Sequence, residues 1–262
     1  MCGKIALHLF VLACLVCVPS FAGAAGHWGY TGEFPPENWH KADPSFGLCG
    51  NGKNQTPVDL VPQFTTMLPA LQIAYPLKAQ SFLNNGHTLQ AQFPEGNTLR
   101  VGQDSFGLIQ AHFHTPSENR LHGESFPLEA HFVHQSKDGE LAVMAVFFAE
   151  GESSSGLDQL WRNMPKKVNE TVPLPSGFDP VAILPPDREY IYFNGSLTTP
   201  PCSEGVRWYV LRTPLTVGKS QIAAFLEVMG HPNNRPLQPV NARPILQGIT
   251  AKLFQADNLG KH

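Results

Sequence analysis

Apolar and polar residues alternate along much of the chain, as they do along β-strands whose two faces differ. Such runs are rich in β-branched and aromatic residues and are separated by Gly, Pro, Asn or Asp. The predicted strands are HTLQAQF (87–93), NTLRV (97–101), SFGLIQAHFH (105–114), LEAHFVHQ (128–135), ELAVMAVFF (140–148), EYIYFN (189–194) and VRWYVLR (206–212). KDGE at 137–140 predicts a hairpin, and the almost continuously apolar ELAVMAVFF predicts a central strand buried on both faces.

Two segments instead carry the spacing of an amphipathic helix. Apolar residues recur at i, i+3, i+4 and i+7 in SSSGLDQLWRNMP (153–165) and in TVGKSQIAAFLEVMG (216–230). Serines cap the first segment and Pro165 ends it, whereas Gly230 closes the second. No internal repeat or low-complexity linker divides the chain, so we assign one domain to residues 25–262. We expect this domain to be mainly β (α+β), with short peripheral helices.

Composition narrows the class of function. Of the 262 residues, 42% are apolar and 17 are Phe, which is enough for a substantial core. Charged residues make up 15% of the chain and the net charge is −3, without the basic stripe that is typical of nucleic-acid binding. We therefore expect no nucleic-acid partner.

The first 24 residues differ from the rest of the chain. Lys4 precedes an apolar run of about 14 residues, and AGA at 22–24 fits a small-residue cleavage site. The run is shorter than the roughly 20 residues of a membrane-spanning helix, so a cleaved secretory signal is favoured over a membrane anchor. Lipid attachment at Cys14 is a further alternative. Signal cleavage would leave no membrane span in the mature chain.

Cleavage would also leave two cysteines, Cys49 and Cys202. An even pair in an exported chain indicates one disulfide bond, and two buried thiols are the alternative. Closing a loop of about 150 residues would stabilise the fold by roughly 4 to 5 kcal/mol in the chain-entropy model.

Five of the eleven histidines lie in AHFHTPSENRLHGESFPLEAHFVH, residues 111–134. Because side chains alternate along a strand, His112 and His114 share one face of the first strand in this stretch. On the second strand His131 and His134 have opposite parity, so they lie on opposite faces. If the two strands are neighbours, His112, His114 and His131 meet on one face of the sheet.

Three imidazoles without a nearby cysteine or a fourth protein ligand are typical of a catalytic zinc site, in which one position stays open. Copper or cobalt would also accept imidazole ligands. Gln110 lies two residues before His112 on the same strand face, and Glu129 is placed in the same way before His131. Both side chains are expected to accept a hydrogen bond from the ligand and to fix its ring direction.

Six motifs occur in the same order as in a known family. They are HWGY (27–30), NQTPVDL (54–60), NNGH (84–87), QAHFHTPSEN (110–119), EAHFVH (129–134) and GSLTTPPCSEGVRW (195–208). From His27 to about Ile245 the chain resembles the α-class carbonic anhydrases, and most of all their exported bacterial members. The resemblance implies a single domain with a central, mostly antiparallel, twisted sheet of about ten strands and short helices around it. It also implies export to the periplasm of a Gram-negative bacterium, or otherwise secretion.

By this resemblance one zinc ion per chain is held by His112, His114 and His131, the three histidines that strand parity selects. The implied activity is reversible hydration of carbon dioxide to bicarbonate and a proton, by attack of a zinc-bound hydroxide. In carbonic anhydrases the zinc ion is known to lower the pKa of its bound water to about 7. The implied partners are carbon dioxide, water and bicarbonate, with sulfonamides and small anions as inhibitors. The sequence is compatible with a homodimer.

The resemblance also implies roles for residues around the metal. The apolar pocket for carbon dioxide corresponds to Val133, Leu141, Val143, Leu197, Val206 and Trp208. Glu118 and Thr198 correspond to a pair that orients the nucleophile, and Thr199 corresponds to a bicarbonate contact. An ionised carboxylate can only accept hydrogen bonds, so Glu118 takes the hydroxyl proton of Thr198, whose oxygen can then only accept.

A proton shuttle is implied at His87, acting through water. Tyr30, Asn85 and Gln90 correspond to positions that order this water. Strict alternation would put His87 and Gln90 on opposite faces, so we expect a twist or bulge between them. The remaining histidines of residues 25–262 are expected to be solvated or structural, namely His27, His40, His122, His134, His231 and His262.

Two alternative functions would use the same fold. A binding module that has lost catalysis would be expected to lack a ligand histidine. This chain retains the three ligands and the orienting pair, namely His112, His114, His131, Thr198 and Glu118. A zinc hydrolase of small esters is the second alternative, and we expect weak esterase activity only as a side reaction.

Overall fold

The computed structural model describes residues 27–249, so the predicted signal peptide and both ends of the assigned domain lie outside the described residues. The strands are β1 (Asp59–Leu60), β2 (Phe64–Thr66), β3 (Leu71–Ala74), β4 (Ala79–Asn84), β5 (Leu89–Gln92), β6 (Thr98–Val101), β7 (Asp104–His114), β8 (Arg120–Leu121), β9 (Leu128–Gln135), β10 (Leu141–Glu150), β11 (Thr171–Phe178), β12 (Tyr190–Ser196), β13 (Glu204–Leu211), β14 (Leu215–Val217) and β15 (Leu246–Gly248). The α-helices are α1 (Trp39–Ala42), α2 (Leu48–Asn51), α3 (Ser155–Trp161) and α4 (Lys219–Met229), and single 3₁₀ turns cover Pro36–Asn38, Pro44–Phe46 and Pro180–Ile183.

Most of the strands in the described residues form one large sheet. Its strand order is β11-β4-β5-β7-β9-β10-β13-β12-β15-β2. Strands β3, β6 and β14 attach beside this path, and β1 pairs with β8 separately. Most neighbours are antiparallel, whereas β10 runs parallel to β13 and β14, β15 to β2, and β1 to β8. The predicted fold class, mainly β with a mostly antiparallel twisted sheet and short helices, is confirmed.

Strand β10 is the central strand that its apolar sequence predicts. It pairs with β9 on one side and with β13 and β14 on the other, and it is buried along most of its length. Alternate side chains enter two different cores. The larger core, which α3 and α4 cover, takes Ala142, Met144, Val146 and Phe148. The second core takes Val143, Ala145 and Phe147.

Every predicted strand segment overlaps an observed strand, but the first of these strands begins two residues later than predicted. The side-chain oxygen of Asn85 accepts from the backbone N–H of His87 at 2.9 Å and from that of Thr88 at 2.8 Å. This turn delays the start of β5 to Leu89. His87 therefore lies in a turn, and the strand irregularity expected between His87 and Gln90 is wrong.

Helix α3 ends at Trp161, about one turn before Pro165, the predicted stop. The backbone N–H groups of Asn163 and Met164 bond to the carbonyl oxygens of Leu160 and Trp161, three residues back. The chain therefore leaves the helix through tight turns, which keep the Met164 side chain packed against the larger core.

A disulfide bond joins Cys49 to Cys202, as the cysteine count predicted. The buried guanidinium of Arg235 donates to the carbonyl oxygen of Cys49 at 3.0 Å. The backbone N–H of Cys202 donates to the carbonyl oxygen of Thr199 at 2.9 Å. The disulfide thus ties the N-terminal helices to the loop that carries Thr198 and Thr199.

Replacing both cysteines by serine is expected to lower the free energy of unfolding by about 4 to 5 kcal/mol. The reason is that the unfolded chain regains the freedom of a long loop, since the two cysteines are 153 residues apart in sequence. Urea unfolding followed by tryptophan fluorescence measures the loss, with wild type in the presence and absence of reductant as the matched pair. Equal midpoints for oxidised and reduced wild type would contradict the prediction.

His134 is fully buried on the face of β9 opposite to His131. Its Nδ1 lies 3.3 Å from the carbonyl oxygen of Ala142, which can only accept, so Nδ1 carries the proton and Nε2 accepts from the hydroxyl of Tyr75. Burial lowers the pKa of His134 to about 4, against backbone hydrogen bonds to Ala142 and Phe132 that raise it. The expectation that this histidine is structural agrees with these contacts.

The lowered pKa of His134 predicts a loss of stability in acid. The unfolded chain takes up this proton near pH 6.5 but the folded chain only near pH 4, so stability falls as the pH drops through that window. The integrated effect is roughly 3 kcal/mol. His134→Gln, which can still accept from Tyr75, is expected to flatten the pH dependence of the urea midpoint between pH 6.5 and 4. An unchanged slope would refute the assignment.

Candidate metal centre

The neighbouring strands β7 and β9 bring three histidines together. His112 on β7 pairs directly with His131 on β9, and His114 lies two residues further along the same face of β7. One ring nitrogen from each histidine lies within 4.8 Å of the other two. His114 and His131 are buried, and His112 is half-buried. The antiparallel register thus places the three imidazoles where strand parity predicted them.

Hydrogen bonds fix the tautomers of the two histidines on β7. Nδ1 of His112 lies 2.8 Å from the side-chain oxygen of Gln110. Nδ1 of His114 lies 2.7 Å from the carbonyl oxygen of Asn233. Because both oxygens can only accept, each Nδ1 carries a proton and each Nε2 presents a lone pair.

His131 is turned the other way by Glu129. Its Nε2 lies 2.9 Å from Oε1 of Glu129, which is an ion-pair distance, and a proton on Nε2 facing the carboxylate leaves Nδ1 with the lone pair. Glu129 is itself held in place, because its carboxylate accepts from the backbone N–H of Glu118 at 2.7 Å and from that of Asn119 at 2.9 Å. The side-chain amide of Asn119 donates a third hydrogen bond at 2.8 Å. Three hydrogen bonds therefore hold Glu129, the residue that contacts His131, in place.

The arrangement of electron pairs fits a bound cation. Among the described residues, Nε2 of His114 and Oε2 of Glu118 are buried without a hydrogen-bond partner, although they lie only 3.4 Å apart. When both atoms are unprotonated they repel each other at this separation, and either a proton or a metal cation between them removes the repulsion. Burial lowers the pKa of His114 to about 4, so the imidazole is neutral near pH 7 and its lone pair is free for a metal.

The same site holds two buried carboxyl groups. Burial raises the pKa of Glu118 to about 8, against hydrogen bonds from the Thr198 side chain and the Arg235 backbone that lower it. Burial likewise raises the pKa of Glu129 to about 7, against the hydrogen bonds from Asn119. A divalent cation between the three imidazoles would lower both pKa values, because an opposite charge within a few ångströms favours the ionised form.

The loop after β12 carries Thr198 next to Glu118. Oε1 of Glu118 accepts from the backbone N–H of Arg235 at 2.8 Å, which fixes the carboxylate beside the threonine. Just before this loop, Gly195 lets the end of β12 lie close to Thr56, because a Cβ at that position would lie 2.1 Å from the hydroxyl oxygen of Thr56. Thr198 is buried, while Thr199 is half-buried.

An apolar wall lies on the same face of the sheet as His131. Val133, Val143 and Trp208 pair across β9, β10 and β13, so they form one row. The Trp208 ring lies 4.9 Å from the ring of His131, edge to face. The second core places Val206 beside this row, with Leu141 and Leu197 as half-buried neighbours. The six residues predicted to line an apolar pocket therefore belong to one cluster.

A cavity of about 100 Å³, which we call the polar cavity because most of its lining side chains are polar, adjoins His112 and His114. Its lining includes Trp28, Tyr30, Asn85, His87, Gln90, His112, His114 and Thr199. The Trp28 ring stacks on the His87 ring with centroids 3.7 Å apart and planes at 7°. Burial lowers the pKa of His87, and the neighbouring His27 and His231 lower it further. The sequence-predicted residues on this side thus surround one space between the metal centre and the surface.

Tyr30 contributes a buried hydroxyl to this cavity. Within residues 27–249 the hydroxyl has no hydrogen-bond partner. Burial, together with the nearby Glu118, raises the pKa of Tyr30 well above its usual value, so the hydroxyl keeps its proton and can donate. It can therefore order a water molecule, as the resemblance implied.

Sequence reasoning missed three residues that support the site. Asn233 accepts from His114 through its backbone, and its side chain donates to the carbonyl oxygen of His87 at 3.1 Å. Arg235 holds Glu118, and Trp28 stacks on His87. Asn233 and Arg235 lie more than 100 residues from their partners in a segment without regular structure, so no local pattern indicates them.

Comparison with known proteins adds evidence independent of this geometry. The profile of the family described as eukaryotic-type carbonic anhydrase matches residues 35–249. A carbonic anhydrase of Pectobacterium carotovorum is 43% identical over 244 residues, which are 93% of this chain and 99% of that protein. The solved α-carbonic anhydrase of Photobacterium profundum is 50% identical, with a TM-score of 0.80 over 84% of this chain and 100% of that chain. The α-carbonic anhydrase of Thermovibrio ammonificans, solved with the inhibitor sulfanilamide, is 40% identical, with a TM-score of 0.83 over 85% of this chain and 100% of that chain.

The chain therefore belongs to the eukaryotic-type, or α, carbonic anhydrase family, and the resemblance seen in the sequence is confirmed. It is an enzyme of that class, and the names of its relatives support carbon dioxide hydration. The three-histidine group fits a metal ion. No helix between residues 27 and 249 is long and apolar enough to cross a membrane.

Proposed function

We propose that this chain catalyses the reversible hydration of carbon dioxide to bicarbonate and a proton, with one zinc ion held by His112, His114 and His131. The observation that carries the proposal is the convergence of three neutral imidazole lone pairs with no fourth protein ligand among the described residues. Three imidazoles and an open position are what a catalytic zinc ion requires. When bound, such an ion turns water into a strong nucleophile at neutral pH.

Glu118 and Thr198 are proposed to orient this nucleophile. With the hydroxyl of Thr198 donated to the Glu118 carboxylate, the threonine oxygen is left only as an acceptor. A nucleophile that still carries a proton can donate to it, whereas an anion without one cannot. The pair therefore fixes the direction of the attacking lone pair and selects against ligands that have no proton. The Arg235 backbone and the buried loop hold both residues in this arrangement.

The apolar wall is proposed to hold carbon dioxide. The substrate is small and has no net dipole, so it gains more from an apolar surface than from a polar one. The row of Val133, Val143 and Trp208 offers such a surface on the face that carries His131. Thr199, which lines the polar cavity, is proposed to contact bicarbonate as it leaves.

His87 is proposed to carry the proton from the cavity to solvent. It lines the cavity and is half-buried, and a neutral imidazole suits transfer near neutral pH. His87→Ala is expected to lower kcat in weak buffer on the order of tenfold, below the range usual for direct acid–base groups because transfer passes through water. Added imidazole should restore the rate. If imidazole has no effect on the variant, His87 is not the shuttle.

Stopped-flow measurement of carbon dioxide hydration by the zinc-loaded protein tests the proposed reaction. We expect a rate far above that of buffer, inhibited by sulfanilamide, which binds the relative from Thermovibrio ammonificans. Hydrolysis of a small activated ester should be detectable but much slower. A rate equal to that of buffer would favour the binding module that has lost catalysis.

We also propose that residues 1–24 are a cleaved export signal and that residues 25–262 form the mature domain. A bond between Cys49 and Cys202 suits an oxidising compartment such as the periplasm, and the relatives above include bacterial proteins. N-terminal sequencing of the protein recovered from a periplasmic extract tests the cleavage site. Recovery of the intact N-terminus in the cytoplasmic fraction would contradict it.

A further inference from the structure

A second histidine, His231, lies next to Tyr30, one of the residues that line the cavity. The ring of His231 lies 6.0 Å from the ring of Tyr30, and the Tyr30 ring lies 5.9 Å from the ring of Trp28, on which His87 stacks. The rings of Trp28 and Tyr30 therefore form a chain of contacts from His87 to His231. A positive charge on His231 lowers the pKa of His87.

The backbone around His231 is fixed against both the shuttle and the metal centre. Two residues further on, the side chain of Asn233 donates to the carbonyl oxygen of His87 at 3.1 Å. The backbone oxygen of the same residue accepts from His114 at 2.7 Å. His231 is thus held at a set distance from His87 by a short segment, and its position does not depend on a free loop.

In its neutral form, His231 has a ring nitrogen that can accept a proton. Its Nδ1 lies 2.9 Å from the carbonyl oxygen of Pro232, so Nδ1 carries the proton of the neutral ring and Nε2 presents a lone pair. The ring is half-buried and so keeps contact with solvent. Tyr30, which packs against it, stays protonated, and His27 and His231 both act on the charge of His87.

We propose that His231 is a second proton carrier beside the cavity. Its Nε2 takes a proton from the His87 imidazolium through intervening water, or from cavity water when His87 is replaced, and then gives that proton to a buffer base in solvent. The ring returns to its neutral form, so no further reactant is needed. This inference rests on the proposed function, and it revises the expectation that His231 is only solvated or structural.

Four variants test the proposal: His87→Ala, His231→Gln, the combination of both, and His122→Asn as a control. Gln can still donate to the Pro232 carbonyl, but it cannot carry a proton near neutral pH. His122 is an exposed histidine with a φ of 51°, a conformation that Asn also adopts readily. The control therefore removes a surface histidine without touching the cavity.

In weak buffer we expect the combined variant to have a kcat roughly two- to threefold below that of His87→Ala, with kcat/KM unchanged. Hydration precedes the proton transfer, so a purely structural defect would lower kcat/KM as well. Concentrated imidazole should bring both variants to the same kcat. The His122→Asn control should match wild type. A combined variant with the kcat of His87→Ala would overturn the proposal.

A second readout does not depend on activity. In ¹H–¹⁵N spectra of the metal-free protein, His231→Gln is expected to raise the pKa of His87, because a neighbouring positive charge is removed. An unmoved pKa would show that the two rings are too far apart for the transfer we propose. If wild type loaded with zinc hydrated no carbon dioxide while this shift was present, the proposed function would fail although the two histidines are coupled.

Discussion

Replacing His114 by alanine is expected to abolish zinc binding and, with it, carbon dioxide hydration. His114 supplies one of three lone pairs, and its ring is held by the carbonyl oxygen of Asn233 so that Nε2 faces the other two histidines. Loss of a hydrogen-bonding partner of a ligand typically lowers metal affinity by roughly 10- to 100-fold, and loss of the ligand itself should exceed this. Zinc content after dialysis and stopped-flow hydration measure the two effects.

His134→Gln is the matched control for this experiment. It also replaces a buried histidine of the same sheet, but on the opposite face of β9. The control protein should keep one zinc ion per chain and its hydration activity. If His114→Ala also kept both, the three-histidine site would not be the catalytic centre.

Replacing Thr198 by alanine is expected to lower kcat/KM for carbon dioxide hydration on the order of 100-fold, the loss typical when one preorganised hydrogen bond at a reacting atom is removed. The metal ligands are untouched, so zinc content should not change. The effect arises because the Glu118 carboxylate can no longer fix an acceptor beside the nucleophile.

The Thr198→Ser variant distinguishes the effect of the Thr198 hydroxyl from the packing of its methyl group. Serine keeps the hydroxyl and loses only the methyl group, so its activity should lie close to that of wild type. The alanine variant should also bind anions without a proton more tightly than wild type does, because the selection by the threonine oxygen is lost. Equal activities of the serine and alanine variants would contradict the proposed orientation.

The metal centre could be predicted from the sequence because it depends on strand parity. His112, His114 and His131 lie on two long strands with a strict period of two, and antiparallel pairing of those strands is enough to bring them together. The same parity placed Gln110 and Glu129 beside their ligands. Local spacing in the sequence was therefore enough to predict this part of the site.

The rest of the site depends on contacts between distant segments. Asn233 reaches His114 across 119 residues and Arg235 reaches Glu118 across 117 residues, and both lie in irregular chain. The position of His87 was misjudged for a different reason. Its predicted strand begins instead with a turn made by Asn85, and a period of two has no meaning inside a turn. The shortest strands, such as β1 and β8, carry too few residues for any period to appear.

The central claim is that a single zinc ion on the three histidines is required for carbon dioxide hydration. Titration of zinc into the metal-free protein, with hydration measured by stopped flow at each step, tests it most directly. We predict that activity rises linearly with added zinc and stops rising at one equivalent per chain. Full activity in the metal-free protein, or none at any zinc content, would contradict this account.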